Sequence, residues 1–446
     1  MHVVMLIAPA FHKVKMIPYL TNHKASFFSC QAVDNGLRCK ETSTLVFNIK
    51  KCLHGPVSSI VGLTIALNII IKKVSLLMNP IIISLQNQIM LNCRISDGRY
   101  GGVFSLCVFL LRMRYYYKWE VDLDPWEEPD YQDLLQWVES KETLWEETAV
   151  QELSPLNIGR DEFDPFDVDA INARLQGFGL FYGAGYATGM KPTFFLAAAS
   201  TRKIANNMQV HTLNQELARD LFTSPAMRQG SHIITRPRTM AALLWDMILE
   251  KKPSTLPALK FALSRYGLDL EELERSPGQY SAALWQIAGD ESETWVYHEL
   301  GEAMQEGFDL EIWQEMISTH ANTAVEKVAR AAKDLLADTH EQGLLAHIIE
   351  HQKASSLGLY LCLAEPLARS LFPEIKPAFD RIKSGQGWGL LEETRQAGYL
   401  RAKDLAGQLA GLHLEGRHKG RDWMQSQVDK LFIRPLGLGL ADDPGP

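Results

Sequence analysis

Ala321-Asn-Thr-Ala-Val-Glu-Lys-Val-Ala-Arg-Ala-Ala-Lys-Asp-Leu-Leu-Ala337 places Ala321, Ala324, Val325, Val328, Ala332 and Leu335 at the three-to-four spacing of one helical face. Glu326, Arg330 and Lys333 fall on the outer face, where Glu326 and Arg330 stand one turn apart as a surface ion pair. Asp338 and Thr339 then read as the cap of a helix starting near His340, with Gln342 completing a capping box. The same period continues on both sides and predicts helices over 256–265, 269–275, 280–288, 294–306, 309–319, 321–337, 340–352, 357–371, 375–382, 389–411 and 420–431. No fixed repeat separates them, so a solenoid is not indicated.

Upstream, the period shortens. Met208 to Leu213 reads as a strand, Gln215 to Phe222 as a helix, His232 to Thr235 as a second strand and Arg238 to Leu249 as a helix. Gly177-Phe-Gly-Leu-Phe-Tyr-Gly-Ala-Gly-Tyr-Ala-Thr-Gly189 matches neither phosphate-loop pattern and reads as a tight, aromatic-packed turn. Residues 129–151 form a surface helix or helix pair anchored by Trp137 and Trp145, and Asp167 to Gln176 form a short capped helix. The fold class is therefore mainly α, a C-terminal multi-helix array with a small α+β insert at about 190–250. Domains are expected at 119–265 and 266–433, with a disordered tail at 434–446.

The chain has 446 residues, 46% hydrophobic and 22% charged, with ten Trp and six Cys. That composition excludes a disordered chain and a disulfide scaffold. Its net charge of -8 argues against general nucleic-acid affinity. Charge is unevenly spread, however. Residues 1–117 hold eight Lys and five Arg against Asp34, Glu41 and Asp97, and all ten Trp lie from Trp119 onward. Cys30, Cys39, Cys52, Cys93 and Cys107 show no C-x-x-C pairing. Three readings of 1–118 stand: an unstructured extension or wrongly placed start, a membrane-associated hairpin, or a folded domain. The first is preferred, because Trp119 opens an acidic segment typical of the start of a cytosolic protein. The apolar stretches 55–71 and 74–93 are interrupted by charged or polar residues and are not clean membrane spans. The chain is accordingly expected in the cytoplasm, with membrane association only if 1–118 is real.

Chemistry concentrates between Trp295 and His351. His298 and Glu302 stand four apart on one helical stripe, while Glu299 falls toward the apolar face as the more buried carboxylate and candidate catalytic residue. Imidazole and carboxylates at this spacing are ligands for a divalent metal, with Asp334 or Asp338 from a neighbouring helix completing the set. His347-Ile-Ile-Glu350-His351 formally matches the inverted zinc-protease pattern, but phasing puts His340, His347 and His351 on a solvated face. Cys362, in an apolar run, reads as an inert small hydrophobe.

Three functions follow: a soluble binding or scaffold protein, a metal-dependent hydrolase using the cluster around 298–302, or polyanion binding through 200–265. The third rests on ten basic residues there against four acids, a surplus that internal acidic helices could equally balance. Leu156-Asn-Ile-Gly-Arg-Asp-Glu-Phe-Asp-Pro-Phe, Tyr182-Gly-Ala-Gly-Tyr, Glu216-Leu-Ala-Arg-Asp-Leu-Phe, Tyr297-His-Glu-Leu-Gly-Glu and Lys333-Asp-Leu-Leu-Ala-Asp-Thr together resemble an uncharacterised bacterial family of hypothetical proteins. The resemblance spans about 145–380. It implies an independently folding bacterial protein and carries no activity.

Overall fold

A computed structural model of the chain describes residues 79–204, 207–222 and 224–437. Two compact units divide at Ser84 and Leu85; of the first, only the opening turn of helix α1 (Pro80–Tyr100) is described. The account below concerns the second.

Behind α1 come α2 (Leu106–Glu120), α3 (Tyr131–Thr148), the β1 (Leu156–Ile158) and β2 (Asp161–Phe163) hairpin, and α4 (Val168–Leu175). Asp130 caps α3 by accepting from the Gln132 and Asp133 amides, and Asp167 caps α4 through Ala170. Five strands follow: β3 (Leu180–Tyr186), β4 (Pro192–Lys203), β5 (Gln209–Arg219), β6 (Ala226–Gln229) and β7 (His232–Thr235). Their order is β3-β4-β5-β7-β6, antiparallel except for the parallel β5 and β7 pair.

Two local readings are corrected by this sheet. The glycine run contains β3 rather than a turn. A β-carbon on Gly183 would fall 2.2 Å from the Phe195 ring, so glycine here lets an aromatic side chain cross the strand. Gln215 to Phe222 is not a helix, because Gln215 to Arg219 continue β5. Register shifts between Leu196 and Ala197 and between Ala198 and Ala199 disturb the alternation, which leaves Leu217 and Ala218 both buried and imitates a helical face.

The compositional break near residue 118 falls inside α2, whose Met113, Tyr116 and Tyr117 are buried. Residues 85–118 are therefore part of the folded body and not an unstructured extension. Lys191 explains the docking: it is 0% exposed, and its Nζ lies 3.0 Å from Asp97 of α1, 2.9 Å from Asp220 at the end of β5 and 2.9 Å from the Ser96 hydroxyl. The segment 55–71 lies outside the described residues, as does the start of 74–93. Among the described residues no helix is long and apolar enough to cross a membrane.

The remaining chain is an array of helices: α5 (Pro237–Glu250), α6 (Leu256–Arg265), α7 (Leu270–Arg275), α8 (Ser281–Met304), α9 (Leu310–Thr319), α10 (Ala324–Thr339), α11 (Leu344–Glu350), α12 (Ala354–Leu363), α13 (Pro366–Leu371), α14 (Ile375–Lys383), α15 (Trp388–Lys419) and α16 (Arg421–Val428). Mainly α with a sheet in the N-terminal half is thus the observed class, and the sheet opens at Leu180, ahead of the expected insert. The predicted helices 280–288 and 294–306 are one, with the Ser292 and Thr294 hydroxyls donating back to the Ala288 and Asp290 carbonyls across the join. The predicted 357–371 helix is two, restarted by Pro366 at its first position. The expected Thr339 cap is absent: Thr339 ends α10, its hydroxyl donates to the Leu335 carbonyl at 2.5 Å, and α11 starts only at Leu344. One core joins α10 to α9, α11, α12 and α14 to α16, and a second joins α5 to α6, α7 and α8.

Candidate metal centre

α8 and α10 approach closely because glycine stands at their contact. A β-carbon on Gly301 would lie 2.1 Å from the Ala337 carbonyl oxygen. Flanking this contact, His298 (three residues before Gly301) and Glu302 (next to it) project from α8, and Asp334 (three before Ala337) and Asp338 (next to it) from α10. His298, Glu302 and Asp334 each offer a ligand atom, all within 4.8 Å of one another. Ligands sharing one ion at roughly 2.1 Å stand roughly 3–3.5 Å apart, so side-chain movement on the order of 1 Å closes the set.

Asp338 holds the fourth position differently. Its Oδ1 lies 2.7 Å from His298 Nδ1, which leaves Nε2 as the ligating nitrogen. A carboxylate behind a histidine fixes the tautomer and ring orientation at metal sites. Burial opposes charge on the imidazole, but Asp338 outweighs it and holds the proton up to about 10. Glu302 is oriented in the same manner. Its Oε1 accepts from Lys333 Nζ at 2.9 Å and from Arg228 Nη2 at 3.2 Å, which leaves Oε2 without either cation. Burial works against its ionisation, and Lys333 with Arg228 keeps the carboxyl below the usual range nonetheless.

Asp334 has no hydrogen-bond or ion-pair partner among the described residues. Burial pushes it up to about 6. Glu299 also lacks such a partner, although it is only 6% exposed. Burial and then Glu302 raise its carboxyl. Four carboxylates thus face two fixed cations, Lys333 and Arg228. A divalent ion beside a neutral His298 would bring this buried cluster to zero net charge.

The residues singled out in the sequence divide cleanly. His298, Glu302, Asp334 and Asp338 come together, with Glu299 adjoining on the same helix. His347 and Glu350 on α11, with His351 just past its end, stay apart. The His347 ring stacks on Tyr297 with centroids 3.7 Å apart, while the His351 side chain (52% exposed) reaches the His347 carbonyl and Glu350 is 77% exposed. His347 is therefore covered by an aromatic ring rather than solvated.

Lys333 and Arg228 were not visible as site residues. Lys333 was phased to the outer face, yet it is buried with its ammonium 3.8 Å from the centre of the Trp313 ring. The Glu326 and Arg330 pair exists at 2.8 Å, but it is no surface pair: Glu326 is buried and also accepts from the Gly189 and Asn322 amides. In the basic island, Arg202, Arg219, Arg228, Arg236, Arg238, Lys251, Lys252 and Lys260 are each ion-paired to an acid of the same chain. Most of the surplus is thus balanced by acids elsewhere in the chain, as the alternative reading of this island expects.

No curated protein and no solved structure matches the chain. Residues 84–236 match the N-terminal domain of a family of unknown function (DUF6866), and residues 241–431 match the C-terminal domain of the same family. The matches begin ahead of the charge break at 118, and their junction falls at the start of α5. Spanning most of the sequence in the family's own order, they show that this chain is a two-domain member of the family of unknown function DUF6866.

Proposed function

We propose that this protein binds a divalent transition-metal ion between α8 and α10 and uses it in hydrolysis. The observation that carries the reading is the convergence of His298, Glu302 and Asp334, with Asp338 behind the imidazole. Mixed nitrogen and oxygen donors suit zinc, manganese or iron. Three protein ligands leave a position for water, which is the arrangement of catalytic rather than closed structural sites. Glu299, buried beside the cluster with a raised carboxyl, is the residue placed to accept a proton.

The test is metal analysis of the full chain purified without a histidine tag, then reconstituted with zinc, manganese or iron. About one ion per chain is expected, and His298→Ala should lose it with an unchanged circular dichroism spectrum. Metal-dependent turnover of p-nitrophenyl acetate or p-nitrophenyl phosphate, lost in His298→Ala, would support the hydrolytic step. A chain that takes up no metal under any of these conditions returns the protein to a binding or scaffold role.

A further inference from the structure

A cavity of about 250 Å³ opens where the two domains meet, bounded by α2, the end of β5, α5 and the Cys362–Leu363 end of α12. It has room for on the order of eight water-sized groups, and junctions between domains are where ligand pockets concentrate. Its walls include Val108, Leu111, Ala242 and Leu243, so the body of an occupant would meet hydrocarbon.

The polar groups in these walls are unequal. Five basic side chains face the space against Asp246 and Glu250. Four of the five already have a carboxylate: Lys118 has Glu128 at 3.5 Å, Arg219 has Glu216 at 3.1 Å, Arg238 has Asp122 at 3.8 Å and Lys252 has Glu250 at 2.8 Å. Arg112 has none. Its Nη1 donates to the Leu221 carbonyl at 2.9 Å and its guanidinium lies 4.4 Å from the centre of the Phe104 ring, but its Nε is buried with no acceptor. Thr239 presents the second unmet group. It is 3% exposed, and its hydroxyl is buried with no partner. A buried donor without an acceptor costs free energy that a ligand oxygen would recover.

We propose that this cavity binds a small organic anion, an apolar body ending in a carboxylate or phosphate, whose head is taken by Arg112 and the Thr239 hydroxyl. Guanidinium favours such oxygen pairs because its donors are planar and fixed. The site shares no lining residue with the centre on α8 and α10, so it stands or falls independently of it.

Calorimetry on the full chain would use sodium octanoate, octyl phosphate, inorganic phosphate and octylamine. Saturable binding of octanoate or octyl phosphate is expected, and which of the two is tighter identifies the head group. Arg112→Gln should weaken it at least tenfold, Thr239→Val several-fold, and Leu243→Trp should abolish it by filling the space while leaving Arg112 in place. Zinc uptake should be the same in all three variants. The proposal is overturned if neither octyl anion binds, if octylamine binds equally well, or if inorganic phosphate binds as tightly as octyl phosphate. It is overturned equally if Thr239→Val and Leu243→Trp, folded by thermal melting, both bind like the parent.

Discussion

His298 Nδ1 lies 2.7 Å from Asp338 Oδ1, joining α8 to α10 across forty residues of sequence. The bond occupies Nδ1, leaves Nε2 as the nitrogen free to ligate, and stores a proton that an incoming ion must displace. Asp338→Asn removes the charge but keeps the shape. Zinc affinity should fall by roughly 10- to 100-fold, the usual cost of losing a carboxylate behind a ligating histidine. In metal-free protein the His298 imidazole, held up to about 10 by Asp338, should titrate closer to its ordinary value, about 6.5, in the variant. Proton NMR of the ring checks this, and an unshifted titration would remove Asp338 from its orienting role.

Gly301→Ala should separate the two helices. Its β-carbon would meet the Ala337 carbonyl oxygen at 2.1 Å, and backbone cannot yield as a flexible side chain would. Overpacking of this kind costs about 1–3 kcal/mol. Chemical denaturation should show that loss, and zinc uptake should fall although no ligand has changed. Unchanged stability would mean that the helices are free to move apart.

Glu291 predicts a pH dependence. It is buried on α8, accepts from the Ser356 hydroxyl at 2.7 Å, and has a second oxygen with no partner. Burial pushes its carboxyl up to about 7 from 4.5. The folded state therefore holds this proton more tightly than the unfolded chain, and stability falls as pH rises from 4.5 to about 7, by roughly 3 kcal/mol in total. Glu291→Gln should abolish that slope, matching the parent's stability below pH 4.5 and exceeding it above pH 7. Urea melts at pH 4.5, 6 and 8 would show it, and parallel curves for the two proteins would contradict it.

Lys191→Met should be among the most damaging single changes in the N-terminal domain. It leaves Asp97 and Asp220 buried with no counter-charge, a loss of about 3–5 kcal/mol for a broken buried pair. Adding Asp97→Asn and Asp220→Asn should recover much of the loss. If the triple variant is no more stable than Lys191→Met alone, packing rather than charge is the cause.

The helical array was legible because most of its helices bury one stripe and expose another. Periodicity failed where that condition failed. α10 is enclosed on several sides, with Glu326, Lys333 and Asp338 all buried, so residues assigned to an outer face are interior and paired with other elements. His298 and Glu302 could be found because their chemistry and spacing lie within one helix. Their coupling to Asp338 was one of two options, alongside Asp334, since pairing between helices leaves no local mark. Arg228 belongs to the site through β6, a strand that nothing in the sequence connects to α8. In the sheet, Gly183 under Phe195 and the bulged β4 and β5 pair disguised strands as a turn and a helix.

The burial of Lys191 also constrains how the chain reaches its fold. Its two carboxylates come from opposite directions along the sequence, Asp97 before the sheet and Asp220 at the end of its third strand. Until both arrive, the ammonium must stay hydrated, and the hairpin of β3 and β4 cannot settle against α1. Half-assembled sheets are thereby penalised, and the barrier must be crossed with helix and strands together. The N-terminal domain should consequently refold in a single exponential phase whose rate reflects the long loop from Asp97 to Lys191.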